Sequence, residues 1–274
     1  MNNPAPPAVR SPHGNGLALA TQGLRRNFGD FVAVDGIDLV VPEGSFYGFL
    51  GPNGAGKSTT IKCLTGLLRP SAGTVRILGL DPERDAVAVK RRVGVVPEDL
   101  ALFDRLTGAE NLAFVARVHG LERATFERRA AELLELLELT DAAAVLAADY
   151  SHGMKKKLSL AMALLPSPRL LFLDEPFEGI DAVSSRLIKR FLHEFTGRGG
   201  TVFLTSHVLE IVERLADHVG ILHKGKLVAQ GSIGELRTQR AGDSGGTGSL
   251  EDLFLGIVGA SAHAEEHALA WLGA

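Results

Sequence analysis

Apolar residues along this chain gather into short runs separated by Gly, Pro and acidic turns, and some runs have no polar face at all. Residues 170–173 (Leu170-Leu171-Phe172-Leu173) and 201–204 (Thr201-Val202-Phe203-Leu204) are continuous rather than alternating. That pattern predicts central strands of a parallel sheet covered on both faces. Shorter strand-like stretches occupy 17–24, 31–34 and 36–41, with Gly29-Asp30 and Pro42-Glu43-Gly44 as turn signals. Further strands are expected at 46–50, 73–78 and 93–96, the last stopped by Pro97, with a brief helix within 81–92. From about 106 to 165 Glu, Arg, Ala and Leu dominate, and Leu133, Leu134, Leu136, Leu137 and Leu139 fall near helical spacing, which predicts a helical insert. A helix over 183–195 ends at Gly197-Arg198-Gly199-Gly200, and 219–222 with 226–228 read as a hairpin. The organisation expected is an arm (1–16), one large domain (17–240) with a helical subdomain at about 99–165, a flexible linker (241–249) and a helical tail (250–274).

Composition narrows the class. With 274 residues, 45% hydrophobic and 22% charged, the chain has ample material for a buried core. A formal net charge of −3 argues against a broad basic surface for nucleic acid. The single cysteine, Cys63, excludes an internal disulfide framework and suits a small buried position in a helix. No run of about eighteen apolar residues occurs, so no membrane-spanning helix is expected. Residues 1–16, rich in Pro, Asn and Gly, lack a signal-peptide core and read as a disordered cytoplasmic arm.

Chemistry enters at Gly51-Pro52-Asn53-Gly54-Ala55-Gly56-Lys57-Ser58-Thr59. This is the spacing G-x-x-x-x-G-K-[ST], preceded by the apolar run 46–50 and followed by an amphipathic run over 60–68. Glycines let successive backbone N–H groups turn inward as an anion nest, and the helix that follows aims its positive end at the same spot. The stretch predicts a nucleotide phosphate site, with Lys57 reaching the β and γ phosphates and the Ser58 hydroxyl on Mg2+. A second signal is the strand 170–173 emptying into Asp174-Glu175, at the end where open α/β sheets bind ligands. Asp174 is expected to hold Mg2+, directly or through water, and Glu175 to orient or deprotonate an attacking water. His207, at the end of the next strand, is placed to hydrogen-bond the γ-phosphate or that water. Lys155-Lys156-Lys157 reads as a solvated helix face, and His263 with His267 as part of a surface tail.

Taken in order, Gly51 to Thr59, Glu98, Tyr150-Ser151-His152-Gly153-Met154, Asp174-Glu175, Asp181 and His207 make a combination that resembles an ABC-type ATPase, the nucleotide-binding subunit of ABC transporters. The match covers about residues 17–240 and is most similar to the stand-alone ATPase subunits of bacterial drug, lipid or polysaccharide exporters. It implies an α/β fold: a P-loop NTPase core with a mostly parallel sheet, an N-terminal antiparallel β subdomain and a helical insert subdomain. It also implies ATP and Mg2+, with Glu98 beside the metal and Phe28 stacked on adenine. Two chains, as a homodimer or heterodimer, would pack head to tail around two ATPs. Each ATP would lie between the phosphate loop of one chain and Ser151 and Gly153 of the other, with Asp181 linking the sites. The partner implied is an integral membrane permease at the cytoplasmic face of the cell membrane, with no nucleic acid, and export as the direction.

This chain departs from the family pattern at His152 and Met154, where Gly and Gln are usual, and at Glu98, where a neutral amide is usual. A third carboxylate beside Asp174 and Glu175 is expected to repel the other two unless Mg2+ is present. A competing class, a soluble ABC-type ATPase acting on ribosomes or DNA, usually carries a long coiled coil, zinc cysteines or two fused halves. A small-molecule kinase would leave Ser151 to Met154 and His207 without a role.

Overall fold

The computed structural model describes residues 16–244 and 250–258. The arm expected at 1–16 (all but Gly16), the pair His263 and His267, and most of the expected linker lie outside them. The chain opens with strand β1 (Leu17–Phe28), which pairs with β2 (Phe31–Ile37), β3 (Val40–Pro42) and β5 (Ala72–Ile77) in an antiparallel sheet. Between β3 and β5 come β4 (Phe46–Leu50) and helix α1 (Lys57–Leu64). Helix α2 (Ala86–Lys90) leads into β6 (Val93–Val96). Three helices form the insert: α3 (Gly108–His119), α4 (Arg123–Leu136) and α5 (His152–Leu164). The core resumes with β7 (Leu170–Asp174), α6 (Ala182–Gly197), β8 (Thr201–Ser206) and α7 (Leu209–Leu215). It closes with the hairpin β9 (His218–His223) and β10 (Lys226–Ser232), then α8 (Ile233–Ser244) and α9 (Leu250–Val258).

The second sheet has the order β10-β9-β4-β8-β7-β6, parallel throughout except for the β10–β9 hairpin. Strands β4, β7 and β8 are buried along their whole length, as runs without a polar face require. Because side chains alternate across a strand, each serves two cores. Tyr47, Phe49, Leu170, Phe172 and Phe203 pack with the antiparallel sheet and α1 on one side. Leu50, Leu171, Leu173, Val202 and Leu204 pack with the helices on the other. The fold is thus a P-loop α/β core with an antiparallel β layer on one face and helices on the other.

Local chemistry sets the helix ends. Thr107 and Glu110 form a reciprocal capping box on α3, and the hydroxyl of Ser151 accepts from Met154 N (3.2 Å) at the start of α5. Asp181 caps α6 by accepting from Ser184 N at 2.8 Å, and that hydrogen bond holds its carboxyl below the usual carboxylate range.

Some boundaries differ from those the pattern predicts. Helix α1 starts at Lys57 rather than 60, because Gly56 itself caps it and Thr60 N already donates to the Gly56 carbonyl. The break between β2 and β3 falls at Asp38–Leu39, three residues later than the expected break at Asp35. Helix α7 went unread because it is one short stretch without a side-chain cap. Helix α8 runs to Ser244, into the segment expected as linker. Ser232 and Glu235 exchange hydrogen bonds at its start, and a helix tolerates Gly242 for about 1 kcal/mol. The three lysines after Ser151 are not a solvated face: Lys156 and Lys157 are buried, because α5 packs between β6 and helices α3, α4 and α6.

Phe203 touches the rings of Tyr47, Phe49 and Phe172, with centroids 5.3–5.6 Å apart, at the centre of the parallel sheet. Phe203→Ala should therefore lower stability by about 3–5 kcal/mol in urea unfolding. A loss below 1 kcal/mol would show that the site can collapse around the missing ring.

Candidate active site

Parallel pairing brings four strand ends together. Leu50 lies opposite Ser206, Asp174 opposite Thr205, and Val96 opposite Leu173. The residues that follow these ends are the loop 51–56, His207, Glu175 and Glu98, all of them expected site residues from widely separated parts of the chain. They meet in an open cleft of about 370 Å3, lined by Asn53 to Thr59, Glu98, Glu175, Glu178, His207, Phe31 and Ala33.

The loop is built for close backbone approach. A Cβ on Gly51 would sit 2.5 Å from the Leu222 carbonyl oxygen. Gly56 has φ of +106° and would drive a Cβ into the Ala33 carbonyl. Lys57 is buried and folds back over the loop, donating to the Gly51 carbonyl at 2.8 Å and to that of Pro52 at 3.4 Å. The Ser58 hydroxyl lies 3.4 Å from Glu98 Oε2, two hard oxygen donors side by side on the cleft wall.

Glu175 is the most constrained residue here. Its φ of +46° puts a non-glycine side chain in the left-handed region, a conformation costing about 1–2 kcal/mol. Its N–H donates to Thr205 Oγ1 (3.1 Å), and its carbonyl accepts from Lys156 Nζ (2.6 Å). The carboxylate is buried, with Oε2 3.1 Å from His207 Nδ1 and Oε1 3.5 Å from Lys57 Nζ. Oε1, buried beside the Lys57 ammonium, makes no hydrogen bond within the chain and is an orphaned acceptor. Burial pushes the Lys156 ammonium below the ordinary lysine range, opposed by Glu178, Glu175, Glu98 and Asp174.

Several expected residues lie elsewhere. Asp174 does not line the cleft; its Oδ1 accepts the Thr205 hydroxyl at 2.5 Å just behind Glu175. Ser151 is exposed and Gly153 half-buried at the start of α5, both outside the cleft of their own chain, and a Cβ on Gly153 would be 3.5 Å from Asp181 Oδ2. Phe28 is 45% exposed, carries the Arg26 guanidinium 4.6 Å above its ring, and does not line the cleft. Phe31 does, and sequence reasoning missed it. The signal was there: Gly29-Asp30 is a two-residue turn, so Phe28 and Phe31 are paired and share a face. Among the described residues, no group of three or more His, Cys, Asp or Glu could hold a metal ion without other ligands.

The chain matches the ABC transporter family over residues 34–178, more than half its length. The chain belongs to the ABC transporter family. Within that family it is an ATP-binding ATPase subunit. It is 39% identical over 226 residues to the daunorubicin resistance ATP-binding protein DrrA3 of Streptomyces coeruleorubidus, covering 82% of this chain and 72% of that one. It is 36% identical to the linearmycin resistance ATP-binding protein LnrL of Bacillus subtilis, covering 82% of this chain and 73% of LnrL. A solved structure described as the ATP-binding subunit of an ABC transporter superposes with a TM-score of 0.82 at 31% identity, over 88% of this chain and 99% of that one. Among the described residues of this ABC ATPase, no helix is long and apolar enough to cross a membrane.

The loop geometry separates two glycines. Gly56→Ala meets the Ala33 carbonyl and should both lower the melting temperature and weaken binding of a fluorescent ATP analogue at least tenfold. Gly54→Ala, with φ +77° but open space around it, should cost about 1 kcal/mol and leave binding within about threefold. Equal effects at the two positions would refute the close-approach account.

Proposed function

We propose that this chain hydrolyses ATP to drive transport, in the export direction, through a separate integral membrane permease, as one half of a head-to-tail dimer. The observation carrying this reading is the division of the site. The cleft gathers Lys57, Ser58, Glu98, Glu175 and His207, while Ser151 and Gly153 lie outside it at a capped helix start. A helix N-terminus is an anion site, so a second chain's Ser151 and Gly153 would close over the γ-phosphate. The drug-resistance names of its relatives support an exporter. An exposed aromatic pair on the insert, Phe103 and Phe114 with centroids 4.5 Å apart, is an apolar surface of the kind a permease covers.

In this reading the N–H groups of Asn53, Gly54, Gly56, Lys57 and Ser58 and the Lys57 ammonium hold the phosphates, and Lys57 exchanges its loop carbonyls for them. Ser58 and Glu98 fit a Mg2+ that arrives with the nucleotide, since that ion is commonly bound by one or two carboxylates plus phosphate oxygens, and Asp174, bonded to Thr205 outside the cleft, would act on it through water. When bound, the metal would neutralise charge on the β and γ phosphates. The orphaned Oε1 of Glu175 accepts a proton from water as that water attacks the γ-phosphorus in line with the departing ADP. His207 holds Oε2 of Glu175 and reads the γ-phosphate. Phe28 and Phe31 receive the base. Membrane association follows from the permease.

Glu175→Gln should keep ATP affinity within about threefold, lower kcat at least about 100-fold and accumulate an ATP-bound dimer on size-exclusion chromatography. Near-normal turnover in that variant removes Glu175 from its role. Glu98→Gln should raise the Mg2+ concentration needed for half-maximal hydrolysis several-fold. A superimposable Mg2+ titration would take Glu98 out of the metal site.

A further inference from the structure

Helix α5 presents Ser151 and Gly153 at its first turn and, one turn further along its buried face, Lys156. A lysine 3% exposed has to satisfy its ammonium inside the protein, and this one does so on an unusual acceptor. Its Nζ donates at 2.6 Å to the backbone carbonyl of Glu175, the residue whose backbone is bent into the left-handed region. The bend is held from both sides of the residue: Thr205 Oγ1 takes the N–H, and Lys156 takes the carbonyl. The left-handed turn ends β7 and sends the carboxylate between Lys57 and His207. Any shift of α5 therefore pulls on the peptide group that aims this carboxylate.

We propose that Lys156 is a positioning residue that makes the orientation of Glu175 depend on where helix α5 sits. The proposal rests on the dimeric reading above and deepens it. In a head-to-tail dimer, Ser151 and Gly153 of one chain touch the nucleotide held by the other, while Lys156 on the same helix holds Glu175 of its own site. Seating the helix on the partner's nucleotide sets the local carboxylate, and hydrolysis at each site becomes sensitive to occupancy of the other. The hydrogen bond is charge-assisted and short, which gives the link stiffness. The remaining acceptor capacity of the Glu175 carbonyl is used by Glu178 N at 3.3 Å, so loss of Lys156 leaves a weaker restraint on the bend.

The test compares Lys156→Met, which keeps the length and removes the donor, with Lys156→Gln, which keeps a donor on a shorter stem. Both are read in the purified full chain by ATP hydrolysis against ATP concentration, by binding of a fluorescent ATP analogue, and by thermal unfolding. The wild type should show a Hill coefficient near two for its two sites. Lys156→Met should bind the analogue within about threefold of wild type, lose about 10- to 100-fold in kcat, and drop to a Hill coefficient near one. Lys156→Gln should recover part of both. Lys156→Met with an unaltered Hill coefficient overturns the proposal whatever its kcat, as does loss of binding and turnover in equal proportion with a lowered melting temperature. A Lys156→Met/Glu175→Gln double variant separates the levels: it should still trap the ATP-bound dimer. If Glu175→Gln alone traps none and the wild type has a Hill coefficient of one, the dimeric reading fails, and this proposal with it.

Discussion

Parallel pairing of β4, β8, β7 and β6 is the constraint from which the rest of the molecule follows. Strands running the same way cannot be joined by tight turns, so each needs a crossover that covers a face of the sheet, and both faces end up dry. The same pairing puts all the carboxyl ends on one edge. The phosphate loop, Glu98, Glu175 and His207 are far apart in the chain and adjacent in space for that reason alone. Nothing about the individual residues would bring them together without the strands behind them.

That edge concentrates unfavourable features that the two cores offset. A non-glycine residue stands in the left-handed region, a lysine is buried, and a carboxylate oxygen goes without a hydrogen bond. Other non-glycine residues with positive φ, such as Leu78, Glu138 and Ser167, lie away from this edge, but only at Glu175 does the left-handed backbone coincide with a buried carboxylate and a buried lysine, the pattern expected of a site prepared for a ligand it must grip. The aromatic cluster around Phe203, in the middle of the strands that carry this edge, supplies rigid packing behind it.

How much of this could be read from the amino acids varies with the kind of signal. The continuous runs at 170–173 and 201–204 announced buried parallel strands, and the glycine spacing from Gly51 announced the loop, because both patterns have few alternative explanations. Helices α7 and α8 were illegible, α7 being set by packing and the start of α8 by one local hydrogen-bond pair rather than by periodicity. Lys156 was misread because three consecutive lysines look like a solvated face until the carbonyl that Lys156 serves is known. Phe31 was missed because one-dimensional reading picked a single aromatic, whereas the two-residue turn makes it half of a pair.

The pairing of Phe28 with Phe31 has a wider consequence. They sit on the antiparallel layer, while the phosphate loop follows β4 of the parallel sheet, so the two ends of a nucleotide would be gripped by two sheets that share one core. Flat hydrocarbon rings have no groups with which to tell one purine edge from another, whereas the loop's ring of amides counts phosphates closely. Selection in such an arrangement would be made on the length of the polyphosphate tail and barely at all on the letter attached to it.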